Sequence, residues 1–366
     1  LIHFLFSCRI LNMGVEQFVY ARLGKPLIKI DGEVSSDLNF PQNVDWIEEG
    51  LFRAKSKDGS TVRKSIKVLF KGGCDLELIR KMIHLEGSGH HIEFETQVRN
   101  SKGNINLFSE HPEIIRLSFD PRRNTEFKDV LSRIPWLDDE SFKTEWSSKE
   151  NHVVVYSLLQ TYGCGLYKHK SLDLIIPVDY FGVDMSDSTQ WANRLTYPPC
   201  SERYKSWGIT HAFLSWFKDN FDYIGPITPD YFSEAIFFLR KKLPEKALLI
   251  LLNGADIDLK NHASVFDSRL TRHHLVLNQR LDQIIKSLPN TILLDVRKYV
   301  TSQKDIADRL FHYQRRIYVQ LADNLSRLIS DNCNVRARRL LWKSTIFIIA
   351  WRVRLQSVKQ KIFPLL

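Results

Sequence analysis

The sequence predicts an α/β fold in which helices cover a mainly parallel sheet, interrupted by a β-rich insert. Three observations carry that prediction. From Asn151 onward, apolar runs of strand length alternate with amphipathic helical stretches. Near the end of that series, Asp308–Leu328 puts an acid and a histidine on a loop between a short strand and a helix. Between about Asn39 and Pro121, a period of two and turn glycines replace the helical period.

The elements follow in chain order. LIHFLF (Leu1–Phe6) reads as a first buried strand; it lacks a basic flank and is too short for a signal peptide. Ser7-Cys8-Arg9 then turns into a helix that Gly24 and Pro26 end. A small nucleophilic residue at such a turn faces the positive end of a helix dipole, so Ser7, with Cys8 as the alternative, is a candidate nucleophile. In the next segment Ile66, Val68 and Phe70 alternate, as do Ile92, Phe94 and Val98, and NINLF and EIIRLSF add strand-like runs. Asp58-Gly59, Gly72-Gly73 and Gly87–Gly89 supply turns, and DLELIRKMIH fits a short helix or a further strand. Trp46 and Phe52 are aromatic residues of this segment.

HVVVYSLL is a continuous β-branched strand of the kind buried on both faces of a parallel sheet. Ser157 lies near its end, Gln160, Gly163 and Gly165 follow it, and Tyr167-Lys168-His169-Lys170 reads as a solvated basic loop. The stretch 180–229 is rich in aromatic and polar residues, among them Trp191, Tyr197, Tyr204, Trp207 and Trp216, and suits either a cleft wall or a structural cap. A helix (PDYFSEAIFFLRKKL), a strand ending in Asn253, Gly254 and Asp256, and a second helix carrying His273-His274 come next. Ligands of open α/β sheets gather beyond the carboxyl ends of the strands, which makes Asn253 and Asp256 candidates. TILLDV (Thr291–Val296) is the last strand, and Tyr318, Leu321, Ala322 and Leu325 mark the closing helix.

Composition bounds the function. A chain of 366 residues with 43% hydrophobic and 11% aromatic residues is a packed globular protein. Five scattered cysteines without metal-type spacing favour a reducing cytoplasm, and neither a metal nor a cofactor is implied. Of the net charge of +10, eight positive charges fall after Asp331, where no acid occurs, leaving about +2 for the body. That balance does not point to nucleic acid. Residues 332–366 interleave their basic residues with Trp342, Phe347 and Trp351, a pattern for an amphipathic helix in an anionic membrane surface or docked on protein.

The order strand-Ser-helix, insert, strand, cleft loops, helix, strand, helix, strand, Asp308/His312, helix resembles the SGNH/GDSL hydrolase and acyltransferase superfamily. GLYKHKSLDLIIP and D-xxx-HYQRRIYVQLA extend the likeness to SGNH-like proteins of bacterial surface-polysaccharide biosynthesis. The resemblance implies a three-layer α/β/α fold on a flavodoxin-like parallel sheet, made of residues 1–38 and 122–331; the separate β-rich module 39–121, read from its own alternation, loosely resembles carbohydrate-binding β-sandwiches through its strands and Trp46 and Phe52, and fits a structural or oligomerising insert equally. It implies that Ser7 attacks an acyl ester, His312 is the base and Asp308 orients it. Gln160, Gly163 and Asn253 would then serve the oxyanion or the substrate. The departures are plain: Gly-Asp-Ser is absent before Ser7, Gly-x-Asn-Asp is absent after HVVVYSLL, and Asp308 stands four residues before His312 where the family has three. Three readings stay open: an esterase or O-acyltransferase acting on a surface glycan, a catalytically degenerate glycan-binding protein, and a glycosyltransferase. The expected place is the cytoplasm, peripheral to the inner membrane through the tail.

Each Lys or Arg near an anionic surface contributes about 1 kcal/mol. The full chain is therefore expected to co-sediment with phosphatidylglycerol vesicles at low salt, and a chain lacking the tail is not. Equal binding by both makes the tail a packing or subunit element.

Overall fold

The computed structural model describes residues 15–22, 24–25, 65–83, 85–86, 90–95, 100–104, 108–180, 183–197, 200–258, 265–307, 310 and 312–337. The chain divides into two compact units, Leu1–Thr61 and Val62–Leu366. Of the first unit, helix α1 (Val15–Arg22) is described, ended by Gly24 in the left-handed region at φ 76° as its sequence implies.

The second unit is built on a five-stranded sheet. Its elements are β1 (Lys67–Lys71), α2 (Cys74–Met82), β2 (Leu85–Glu86), β3 (His91–Glu95), α3 (Pro112–Ser118), α4 (Lys128–Arg133), β4 (Asn151–Ser157), α5 (Leu159–Gly163), β5 (Cys164–His169) and β6 (Ile175–Tyr180). They continue with α6 (Trp191–Thr196), α7 (Cys200–Ser206), α8 (His211–Asn220), β7 (Phe221–Pro226), α9 (Pro229–Lys242), β8 (Leu248–Leu252), α10 (Val265–Ile284), β9 (Thr291–Leu294), α11 (Arg315–Cys333) and β10 (Arg336–Ala337). The sheet order is β3-β1-β4-β8-β9 and every pairing is parallel. Numbered along the chain, the five strands run 2-1-3-4-5, the flavodoxin-like order, whose switch point lies between β1 and β4.

Alternation along each strand makes the three layers. Val68 and Phe70, Val153 and Val155, and Leu248, Ile250 and Leu252 enter one core cluster with Leu76 and Ile79 of α2 and Ile317, Leu321 and Leu325 of α11. Leu69, Val154, Tyr156, Leu249 and Leu251 face the opposite way, onto Phe232, Ile236 and Leu239 of α9 and Leu277 and Leu281 of α10. Each fully buried large apolar side chain contributes about 1.5–3 kcal/mol.

Helix α2 forms where acids open it and bases close it: Asp75 and Glu77 lie in the first turn and Arg80 and Lys81 in the last. It packs against α11, and the two helices run in the same direction. Both leave the carboxyl side of the sheet, and the chain just past each pairs as an antiparallel β2–β10 ladder, Leu85 opposite Ala337. At the starting end, His312, just before α11, lies within electrostatic reach of Asp75 in the first turn of α2.

Several sequence expectations are corrected here. Residues 66–71 and 91–95 are strands of the main sheet, with Val68 opposite both Ile92 and Val153, so this part of 39–121 is not a separate module. Trp46 and Phe52 lie outside the described residues. EIIRLSF is helical, because Pro112 opens α3 and the His111 ring accepts the Glu113 N–H as its cap. The Tyr167–Lys170 loop is largely strand β5, in a second, antiparallel sheet ordered β6-β5-β7, with Tyr167 and His169 buried. Trp191, Tyr204 and Trp207 are buried with Phe213 and Phe217 in the core beside that sheet, the structural role rather than a cleft wall. Beyond α11, Asn334 turns the chain in the left-handed region at φ 53° into β10, so residues 334–337 are not helical. The tail from 338 lies outside the described residues, and a truncation after Ala337 removes it while keeping β10.

At Gly72 a Cβ would stand 2.6 Å from Leu76 Cδ1 and 2.8 Å from Ser157 Cβ. Gly72→Ala is expected to cost about 1–3 kcal/mol through overpacking, read as a lower midpoint in urea with unchanged slope. Wild-type stability in this variant would mean that the turn yields freely.

Candidate functional site

The site is built at the carboxyl end of the sheet, where β1 and β4 diverge to opposite neighbours. β1 ends in Lys71, whose register partner is Glu95 of β3; their side chains pair at 2.6 Å. Glu95 also accepts from Thr144 Oγ1 at 2.7 Å and from the Glu145 N–H at 2.6 Å, which fixes the edge of the site. The chain then turns through Gly72 and Gly73, and Cys74 is the first residue of α2.

Asp75 follows, 2% exposed. Ser157, the last residue of β4, donates its hydroxyl to Asp75 Oδ2 at 2.6 Å, and Ser157 Oγ accepts the Leu159 N–H at 3.3 Å. One hydrogen bond thus ties the first turn of α2 to the end of the neighbouring strand. Glu110, 1% exposed, comes in from the segment before α3. Its backbone carbonyl accepts from the buried Tyr156 hydroxyl at 2.7 Å, and its Oε2 accepts from Ser109 Oγ at 3.1 Å. Asp75 Oδ1 and Glu110 Oε1 have no hydrogen-bond partner among the described residues.

Burial holds both carboxyls above the ordinary carboxylate range. The Ser157 hydroxyl pulls Asp75 partly back, and the charge of His312 adds a small pull in the same direction. For Glu110 the Lys71 ammonium opposes the rise, while the Asp75 charge reinforces it. The next residue, His111, is fully buried, and desolvation pushes its imidazole down to about 3, so it is neutral at neutral pH.

His312 reaches this place from the other side. Its loop is closed by the Ala307 N–H donating to the His312 carbonyl at 2.9 Å, by the Ile306–Tyr313 bridge, and by the Gln314 N–H donating to the Asp305 carbonyl at 2.7 Å. Tyr313 is buried and its hydroxyl accepts the Ala255 N–H at 3.3 Å, anchoring the loop to the end of β8. His312 thereby sits just before α11, at the end where α2 begins, within electrostatic reach of Asp75.

Of the residues expected to act with it, Ser7, Cys8 and Asp308 lie outside the described residues. Gln160 and Gly163 are on α5, directly after β4; Gln160 Oε1 accepts from the Cys164 thiol at 3.5 Å. Asn253 is 2% exposed and fully engaged: its Nδ2 donates to Asn278 Oδ1 at 3.2 Å and Asp295 Oδ1 at 3.0 Å, and its Oδ1 accepts the Val296 N–H at 2.7 Å. Both amide hydrogens are spent on this clasp, so Asn253 joins β8, β9 and α10 and has none left for an oxyanion. Asp256 belongs to the same network, accepting from Asn278 Nδ2 at 3.0 Å. Sequence reasoning missed Cys74, Asp75 and Glu110. The available signal was a short apolar strand followed by Gly72-Gly73-Cys74 and a helix, a pattern that also fits a hairpin turn. Among the described residues no cluster of His, Cys, Asp and Glu has the makings of a metal site.

No family model and no curated protein matches the sequence. Among solved structures, the chain is similar to the C-terminal catalytic domain of Streptococcus pneumoniae peptidoglycan O-acetyltransferase A (OatA), carrying a methylsulfonyl adduct. The TM-score is 0.31 and the identity 8%, over 75% of this chain and 97% of that one. The fold of this chain rests on its own sheet order.

Glu110 generates a pH prediction. Its folded pKa is raised, so its contribution to stability is fully present below the unfolded value of about 4.3 and is lost as pH rises through the folded pKa. In urea titrations, wild-type stability relative to Glu110→Gln is expected to fall as pH rises above about 4. Asp120, Asp138 and Asp305 have lowered pKa values and the opposite sign, but both proteins retain them, so they cancel in the difference. Parallel curves would contradict the burial argument.

Proposed function

We propose that this chain is an SGNH-like acyl-transfer enzyme acting on acyl groups carried by a glycan, with Cys74 as nucleophile and His312 as base. The observation that supports the reading is the nearness of His312 to Asp75, the residue after Cys74, at the carboxyl end of the sheet. Cysteine at the first position of a helix after a central strand is a residue type whose thiolate a helix dipole favours. In the reaction the sulfur bonds to the ester carbonyl carbon while its proton passes to His312. The imidazolium returns that proton to the departing sugar oxygen. Water or a second sugar hydroxyl then takes the acyl group from sulfur, giving hydrolysis or transfer. Gln160, directly after β4 at the same end, is the side chain proposed to face the developing oxyanion. The glycan class comes from the resemblance of GLYKHKSLDLIIP and HYQRRIYVQLA to polysaccharide-biosynthesis proteins. The basic tail is proposed to hold the protein at an anionic membrane face.

The test uses p-nitrophenyl acetate as acyl donor, with release of nitrophenol and the mass of the intact protein as readouts. Cys74→Ala and His312→Gln are each expected to lower the acylation rate about a thousandfold or more. Because any exposed thiol reacts slowly with this ester, the dependence on His312 separates a built pair from background. Activity retained in Cys74→Ala but lost in Ser7→Ala would move the nucleophile to Ser7. No acylation of the wild type would favour a glycan-binding protein on a degenerate site.

A further inference from the structure

The face of the sheet opposite α2 and α11 carries a cavity that the acyl-transfer pair does not use. It has a volume of about 410 Å³ and opens between α3, the turn Pro121–Asn124, β6 and α9. That size is ordinary for a small-molecule site. Tyr231, Phe238 and Lys242 reach it because their spacing puts them on one face of α9.

Cations are laid against its aromatic wall. The Arg116 guanidinium stands 5.5 Å from the Tyr231 ring centre and 5.3 Å from that of Phe238. Lys242 Nζ stands 5.2 Å from the centre of Phe119 and 5.3 Å from that of the same Phe238. Two like charges therefore share one ring, and a ring face attracts a cation without supplying a counter-charge. The acids of the cavity leave these two largely unmatched. Asp120 closes on Arg122 instead, at 2.8–3.2 Å, with Asp173 at 3.6 Å from the same guanidinium. Arg116 has one acid contact, at 3.5 Å to Glu113, which also hydrogen-bonds Tyr231. Lys242 makes no ion pair or hydrogen bond among the described residues.

We propose that this cavity binds a small organic phosphate monoester, its phosphate held between Arg116 and Lys242 and its body among the aromatic walls. The chemistry selects this class. A phosphate monoester carries about −1.5 to −2 charges at neutral pH and three acceptor oxygens, so it can meet both cations at once. Arg116 offers a planar fork and Lys242 a point charge, the two forms in which proteins hold phosphate. A carboxylate brings one charge and two oxygens, and a cation is repelled. The site is separate from Cys74 and His312 and stands or falls without them.

Isothermal titration of the full chain with glucose 1-phosphate at low salt is the test, with glucuronate and glucose as comparisons. Saturable binding of glucose 1-phosphate is expected, about tenfold or more tighter than that of glucuronate, with none for glucose. Lys242→Gln and Arg116→Gln are each expected to weaken it about tenfold or more, as loss of a charge-assisted contact does. Lys242→Arg, which keeps the charge, is expected to retain most of the affinity, separating lost charge from a damaged helix. Thermal melts establish that the variants are folded. Cys74→Ala is expected to bind as the wild type does. No saturable heat with glucose 1-phosphate, or an affinity unchanged in folded Lys242→Gln and Arg116→Gln, would overturn the site. Binding lost in Cys74→Ala would overturn it too, by moving the ligand to the acyl-transfer site. Equal affinity for glucuronate would overturn the choice of phosphate.

Discussion

The close approach of α2 to the end of β4 at Gly72 is the constraint on which the carboxyl end of this protein depends. With no side chain there, Leu76 and Ser157 occupy space that a Cβ would need, and the Ser157 hydroxyl closes on Asp75 at 2.6 Å. That contact sits at the switch point of a 2-1-3-4-5 sheet, where β1 and β4 diverge and their loops go to opposite sides. The residues of the candidate site described in this unit are arranged around it. Lys71 and Glu95 brace one side, Glu110 comes in above Gly73, and the His312 loop comes over from β9.

The second constraint is directional. α2 and α11 are tied by the β2–β10 ladder just past their ends, and His312, just before α11, lies near Asp75 in the first turn of α2. Their dipoles add at one spot, each equivalent to roughly half a positive charge. That field favours anions, yet burial raises the pKa values of Asp75 and Glu110. Desolvation is the larger effect for both carboxyls, with the serine hydroxyls and the Lys71 charge recovering part of it. Burying two carboxyls next to a strand-to-helix turn is costly, because each is desolvated and its polar contacts recover only part of that.

Much of the fold was legible because its signal is local. β4, β8 and β9 are continuous apolar strands, and α9, α10 and α11 carry stripes of helical period; each appears where its pattern places it. The central strand was not legible, and the reason is physical. Val68 meets Val153 only through parallel pairing across 85 positions, and a short strand ended by two glycines has the same local pattern as half of a hairpin. Likewise, Trp191, Tyr204 and Trp207 carry no mark that distinguishes a cleft wall from a core. Burial by the β6-β5-β7 sheet makes them core.

The candidate site divides along the same line. His312 stood out because a loop histidine before an amphipathic helix is a feature of neighbouring residues. Asp75 and Glu110 are 35 positions apart and meet only because the Tyr156 hydroxyl holds the Glu110 carbonyl while Ser157 holds Asp75, two successive residues of β4 whose side chains leave opposite faces. A strand end clamping one acid on each side of itself cannot be read from spacing. It exists once β4 is in the sheet and Gly72 has let α2 approach. The site is therefore a consequence of tertiary packing at the switch point, and the same glycine pair that concealed the central strand in the sequence is what makes the site.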